Sequence, residues 1–210
     1  KDIRQTRAIV GVWKGGVPFD RQTTRDAIAK QRAEIDRERS AAAPPGSEGG
    51  IVADFDDGKP ATKFGAGLTL STDARRGGTS TVDLRVLPGG APASGYALLV
   101  TGEIKGERGW AGVLFAPGPT ALAPANLSGK RVLTFYVKGD GKEYRVMLFA
   151  RHLGPAPVSR TFVAGPRWTQ IALPLATFPG VDGRDVTGIL WSGGPQPGAF
   201  TFTLDQIELR

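Results

Sequence analysis

Cysteine is missing from all 210 residues, which removes any disulfide framework or thiolate metal site and leaves the redox compartment unreadable from thiols. Histidine is nearly missing too, with His152 alone in the chain. A hydrolytic centre on one or two metal ions needs several imidazoles with a carboxylate, and a Ser-His-Asp arrangement needs a choice of base. One histidine serves neither; beside Arg151 and before Leu153-Gly-Pro155, His152 reads as a strand-end surface residue. No Walker A sequence and no Gly-x-Ser-x-Gly elbow occur. Gly139 and Gly141 fall in an expected turn, away from the helix N-terminus where a phosphate meets free N–H groups. No apolar run approaches the roughly 20 residues a membrane helix needs, and no signal-peptide pattern opens the chain, so no membrane insertion is expected. The opening Lys1 leads us to expect a trimmed or processed piece of a longer protein.

Glycine (30) and proline (16) are abundant while hydrophobic residues still make up 40%. That composition suits many short strands joined by turns. The net charge of +7 raises the question of an anionic partner. Yet the Lys and Arg residues are dispersed, with no basic block and no aromatic interleaving, so no nucleic acid is expected.

Along the chain, Arg7-Ala-Ile-Val-Gly-Val-Trp13 reads as an apolar strand, Lys14-Gly15-Gly16 as a tight turn, and Val17-Pro-Phe19 as the return. From Gln22 to Ser40 charges dominate, with Asp26 and Lys30 at helical spacing and a thin stripe of Thr24, Ile28, Gln31 and Ile35. This predicts a solvated spacer helix. Residues 41–50, rich in Ala, Pro, Gly and Ser, read as a linker. We therefore expect a hairpin at 1–21, a spacer helix and linker at 22–50, and one folded domain at 51–210.

In that domain the period changes to two: Val82/Leu84/Val86, Tyr96/Leu98/Val100, Trp110/Leu114 and Leu133/Phe135/Val137. The segment Lys138-Gly-Asp-Gly-Lys142 predicts a hairpin pairing the strand before it with residues 144–150. Further strands are expected at 169–173, 186–192 and 200–209. In the last, Phe200, Phe202 and Leu204 share one parity and Ile207 and Leu209 the other, which predicts a bulge near Asp205-Gln206. No βαβ spacing appears. The fold class is all-β, an antiparallel jelly-roll sandwich preceded by a hairpin and a charged spacer helix.

Two resemblances follow. Asp54-Phe-Asp-Asp-Gly58, Gly77-Gly-Thr-Ser-Thr81, the run from Leu127 to Lys142 and Leu204-Asp-Gln-Ile-Glu-Leu209 resemble the complex I intermediate-associated protein family over about 51–210. The resemblance implies a galactose-binding-like jelly roll and favours a periplasmic or extracellular setting. Asp2 to Val17 is similar to the C-terminal end of metal-dependent amidohydrolases, where a last hairpin completes a small β-sandwich. The two together imply a non-catalytic accessory module at the C-terminal end of an amidohydrolase. Ile9, Val10, Val12, Trp13 and Phe19 would then dock on the catalytic domain or chain. An independent carbohydrate-binding module and a chaperone-like assembly factor are the alternatives.

For a glycan, whose C–H patches need aromatic platforms and whose hydroxyls need planar polar groups, the candidates are Trp110, Tyr136, Arg145, Arg151 and Trp191. Aromatic residues on alternating strands are also ordinary core, and Trp168 reads as a structural anchor. Asp54, Asp56, Asp57 and Asp205 offer the hard oxygens a structural calcium wants. Ordinary turn formation at 56–58 and a capped bulge amide at Asp205 account for them without an ion.

Overall fold

A computed structural model describes residues 13–14, 17–18, 20–41, 50–107, 109–194 and 196–210. Ile9, Val10, Val12 and Phe19, and the expected linker at 42–49, lie outside these residues. The chain divides into two units, Lys1–Glu38 and Arg39–Arg210.

In the first unit, β1 (Trp13–Lys14) pairs antiparallel with β2 (Val17–Pro18), Trp13 opposite Pro18. The helix α1 runs Arg21–Ala41. Asp20 caps it: one carboxylate oxygen accepts from the N–H groups of Gln22 (2.8 Å) and Thr23 (3.3 Å), the other from the Thr23 hydroxyl. These bonds satisfy N–H groups that a helix start leaves orphaned. They also hold the Asp20 carboxyl below its usual range, the Thr23 hydroxyl contributing most. Ile28 and Ile35 are 47% and 41% exposed, as the thin stripe predicts. No helix among the described residues is long and apolar enough to cross a membrane.

The second unit is a sandwich of two antiparallel sheets. One has the order β10 (Val158–Val163), β9 (Glu143–Ala150), β12 (Val186–Ser192), β7 (Ala111–Ala116), β4 (Gly67–Thr72). The other has the order β11 (Thr169–Pro174), β8 (Val132–Gly139), β13 (Gly198–Leu209), β6 (Tyr96–Ile104), β5 (Thr81–Pro88), with β3 (Ile51–Ala53) also paired to β13. Between the sheets lie Val113, Phe115, Val146, Leu148, Ile189 and Trp191 from the five-stranded side. Leu98, Val100, Phe135, Val137, Phe202 and Leu204 meet them from the other. Each large side chain buried here contributes about 1.5–3 kcal/mol relative to exposure.

The bulge in the closing strand lies where the parity switch predicts it. The register of β13 against β8 shifts between Asp205 and Glu208, and Gln206 takes a positive φ of 44°. The turn at 138–142 corrects the expectation. β8 and β9 are not partners; the chain crosses there from the six-stranded to the five-stranded sheet. The amides of Gly139 and Gly141 go instead to the carbonyls of Gly165 and Ala164. The Tyr144 hydroxyl has two acceptors within reach of its one proton, Asp140 Oδ1 (2.7 Å) and Thr201 O (2.8 Å). Burial pins Tyr144 as the neutral phenol, well above its usual range.

A second correction concerns β7. Val113 and Phe115 face the core and Leu114 faces out, the reverse of the expected Trp110/Leu114 parity; Trp110 precedes the strand. The strand is apolar on both sides, so alternation carries no information there.

Candidate functional site

Antiparallel pairing sets Ser71, Gly112, Ser192, Arg145 and Thr161 side by side across β4, β7, β12, β9 and β10. Directly paired residues share a face. The neighbouring row, which includes Val113, Trp191 and Val146, is core, so this polar row lies on the outer face. Two residues further along, Leu114, Leu190 and Met147 form the apolar middle of the next outer row.

Arg145 dominates the polar row. Its Nη2 donates to the carbonyls of Gly109 (3.0 Å) and Gly193 (3.4 Å), which fixes the guanidinium over the end of β12. Its Nε is buried and finds no acceptor. Desolvation lowers the pKa of this arginine from its ordinary value. A side chain at Gly194, whose φ is +86°, would place its Cβ 2.9 Å from Nη2, so glycine there leaves room for the guanidinium. A shallow cleft of about 320 Å³, bordered by Glu143, Gly194, Gln196 and Ala199, opens at the same end.

Trp110, next to Gly109, is half-buried and its Nε1 donates to the Ser71 hydroxyl (3.4 Å). The Arg76 guanidinium sits 5.3 Å from the ring centre, a contact worth about 0.5–1 kcal/mol at a surface. Arg76 belongs to a 3₁₀ turn, Asp73–Arg76, capped by Thr72 and ended by Gly77 in the left-handed region. Buried Asp73 ties that turn down, accepting from the Ser80 amide (3.1 Å) and hydroxyl (2.6 Å). Ser80 Oγ in turn accepts from the Lys105 amide. The rim of the site is thus fastened to both neighbouring loops.

The other expected glycan residues do not join this row. Trp191 is fully buried and packs edge-on against Phe135 at 5.9 Å, so it is a core residue and no platform. The reason is parity: it stands opposite Val113 and Val146, which face inward. Tyr136 lies on β8 in the opposite sheet. Arg151 is exposed in the 3₁₀ turn Arg151–Leu153, its amide donating to Asp185 O. Ser71, Arg76, Gly112, Thr161 and Ser192 escaped the sequence reading; only the Arg75-Arg76-Gly77-Gly78 run, a basic turn before a strand, offered a local signal.

The carboxylates proposed for calcium are engaged by the protein. Asp54 pairs with Lys63 at 2.9 Å. Asp56 Oδ1 accepts from Gly95 N (2.7 Å), Ser94 Oγ (2.9 Å) and Tyr96 N (3.4 Å), and the Gly95 amide foremost holds its carboxyl below the usual range. Asp205, fully buried at the bulge, accepts from Ala91 N and Gln206 N, both at 2.7 Å. Burial raises its pKa. Phe55, between Asp54 and Asp56, holds a positive φ of 56° with its ring buried. A backbone strain of about 1–2 kcal/mol is offset by that burial.

Among the described residues, one group has nitrogen and carboxylate oxygens within 4.8 Å of one another: His152, Asp182 and Asp185. Its imidazole is engaged on both sides, Nδ1 with Asp185 Oδ1 (2.7 Å) and Nε2 with Gly180 O (2.8 Å). To ligate an ion the ring would have to give up one of them.

A family model described as complex I intermediate-associated protein 30 (CIA30) matches residues 54–188, more than half of the chain. The chain belongs to the CIA30 family. Similar solved structures include carbohydrate-binding modules. A family 11 module from Clostridium thermocellum, in complex with a beta-1,3-1,4-mixed-linked tetrasaccharide, shares 16% identity with a TM-score of 0.57, over 76% of this chain and 94% of that one. The family 11 module of a cellulosomal cellulase of the same organism shares 17% with a TM-score of 0.53, over 68% and 86%. An exo-beta-agarase shares 10% with a TM-score of 0.52, over 77% of this chain and 25% of the agarase. At these identities the likeness is one of fold, and it establishes the jelly-roll sandwich for this CIA30 chain. No curated protein matches the sequence.

Proposed function

We propose that the sandwich is a non-catalytic saccharide-binding module whose ligand lies across the outer face of the five-stranded sheet. The observation that carries this reading is a fixed arginine in a polar row, with exposed Thr161 on one side of it and, beyond the buried Ser192 and Gly112, Ser71 and a half-buried tryptophan on the other. Thr161, the guanidinium and the indole ring supply the mixed polar and apolar contacts that a sugar needs. Fold likeness to modules that bind saccharides supports the reading by analogy. A glycan array followed by titration calorimetry tests it. Saturable binding that falls at least tenfold in Trp110→Ala, with the fold intact, is the expected result; silence on every glycan overturns it.

The module would serve as an accessory part of an amidohydrolase. Trp13, 67% exposed at the end of β1, favours a docking role for the hairpin, because a large aromatic left in water is suited to a partner surface. Deleting residues 1–21 from the full polypeptide should lower the melting temperature of the hydrolase and leave its chemistry unchanged.

A further inference from the structure

We propose that the ligand of this face is an anionic saccharide, carrying carboxylate or sulfate groups, and that Arg145 holds its negative charge. The inference rests on the saccharide reading above and narrows it to a ligand class.

The argument begins with what Arg145 lacks. Its partners are two carbonyls, which orient the guanidinium and supply only partial charge. Among the described residues no carboxylate pairs with it, Nε is buried without an acceptor, and Nη1 makes no hydrogen bond. Some cations of the chain have a carboxylate partner, Lys63 with Asp54 (2.9 Å), Arg85 with Asp83 (3.1 Å) and Lys142 with Asp140 (3.2 Å); exposed ones without a partner keep their water, which the buried Nε of Arg145 does not. Taking a charged group out of water without a counter-charge is costly. An arginine held half-buried in that condition is a charge left open, and an arriving anion would complete it.

A second cation points the same way. Arg76 lies over Trp110 and, among the described residues, makes no ion pair. The turn that carries it is anchored through Asp73 and Ser80, so both cations are positioned before any ligand arrives and little ordering entropy remains to be lost. The polar row itself carries no carboxylate: Ser71 and the buried Ser192 lie on one side of Arg145 and the exposed Thr161 on the other. Glu143, two residues before Arg145 on the same strand, makes no ion pair with it. Neutral sugars present donors and acceptors in equal measure. An arginine without a carboxylate partner in its own row instead suits a ligand that brings its own acceptor oxygens, and guanidinium bonds to such anions are among the stronger ones.

The test uses the full chain in titration against polygalacturonate and alginate as uronates, heparin and dextran sulfate as sulfated polymers, and a neutral β-glucan. Wild type is compared with Arg145→Gln, Arg145→Lys and Thr161→Asp. Binding to at least one anionic polymer is expected, weakened at least tenfold by Arg145→Gln, less by Arg145→Lys, and falling with added salt. Uronate against sulfate identifies the anion. Should Arg145→Gln fail to fold, Thr161→Asp serves instead: it sets a carboxylate on the strand directly opposite Arg145 and should abolish binding with the melt retained. Neutral glucan bound as tightly as the anionic polymers, with no effect of either variant, overturns the inference and leaves the saccharide reading standing. No binding of any glycan overturns both.

Discussion

The two outer faces of the sandwich treat charge differently. On and beside the six-stranded sheet, Arg85 is paired with Asp83, Lys105 with Glu103 (3.5 Å) and Arg210 with Glu208, while Lys138 sits 4.6 Å over the ring of Trp168. On the five-stranded sheet, among the described residues, Arg145 meets only carbonyls, while Arg76 over Trp110 repeats the contact of Lys138 with Trp168. Both sheets share one core, so the contrast does not come from stability requirements. The cation that sets the two faces apart is Arg145, whose Nε is buried and which, among the described residues, has no carboxylate partner.

The comparison can be broken most severely from beneath. Trp191 supports the polar row from its core side, so Trp191→Ala should cost about 3–5 kcal/mol in urea or thermal unfolding and lose ligand binding together with the fold. An intact melt would mean that the row does not depend on the packing described.

Acid titration sharpens the contrast with a smaller effect, because the six-stranded side spends its carboxylates on its own loops. Asp56, held below 3.8 chiefly by the Gly95 amide, lends stability that is present above that value and lost as pH falls through its depressed folded value. Buried Asp205, shifted upward from 3.8, acts with the opposite sign: its contribution is present below 3.8 and lost as pH rises through its raised folded value. Asp56→Asn should therefore reduce, without abolishing, the loss of stability as pH falls below 3.8, the remainder coming from Asp20 and Asp140, whose carboxyls are also held below their usual range. Wild-type and variant curves of the same shape would contradict this.

The smallest effect is expected from Asp83→Asn, which frees Arg85 on the opposite face. An exposed pair is worth about 0–1 kcal/mol, and a free but solvated cation is not a half-buried one. Stability within about 0.5 kcal/mol of wild type and no new polymer binding are expected. A gain of anionic binding would show that any unpaired arginine suffices and that burial of Arg145 is irrelevant.

Much of the fold was legible because local chemistry forces it. The parity switch between Leu204 and Ile207 announces the bulge, since only an extra residue lets both sets face the core. The strand at 186–192 follows from its apolar run before Gly193-Gly194. Partnership between strands was less legible: Asp140-Gly141 does reverse the chain, but whether the returning strand pairs with its predecessor or crosses to the other sheet depends on residues distant in sequence, such as Ala164 and Thr201. The strands at 67–72 and 158–163 lacked a continuous pattern. The site was half-visible for the same reason. Trp110 and Arg145 stand out by type, whereas Ser71, Gly112, Ser192 and Thr161 matter only because four separate strands align them. That Arg145 has no counter-ion among the described residues is a fact about its neighbours in space.

The central place of β13 also governs how the protein is made. It lies between β8 and β6 and also binds β3, so neither half of the six-stranded sheet can close until residues up to Leu209 have left the ribosome. Until then Phe135, Val137, Leu98 and Val100 wait with unfilled edges, a long interval for a topology built on distant pairings. The chain should accordingly depend on holding factors during synthesis more than a domain whose central strand is translated early.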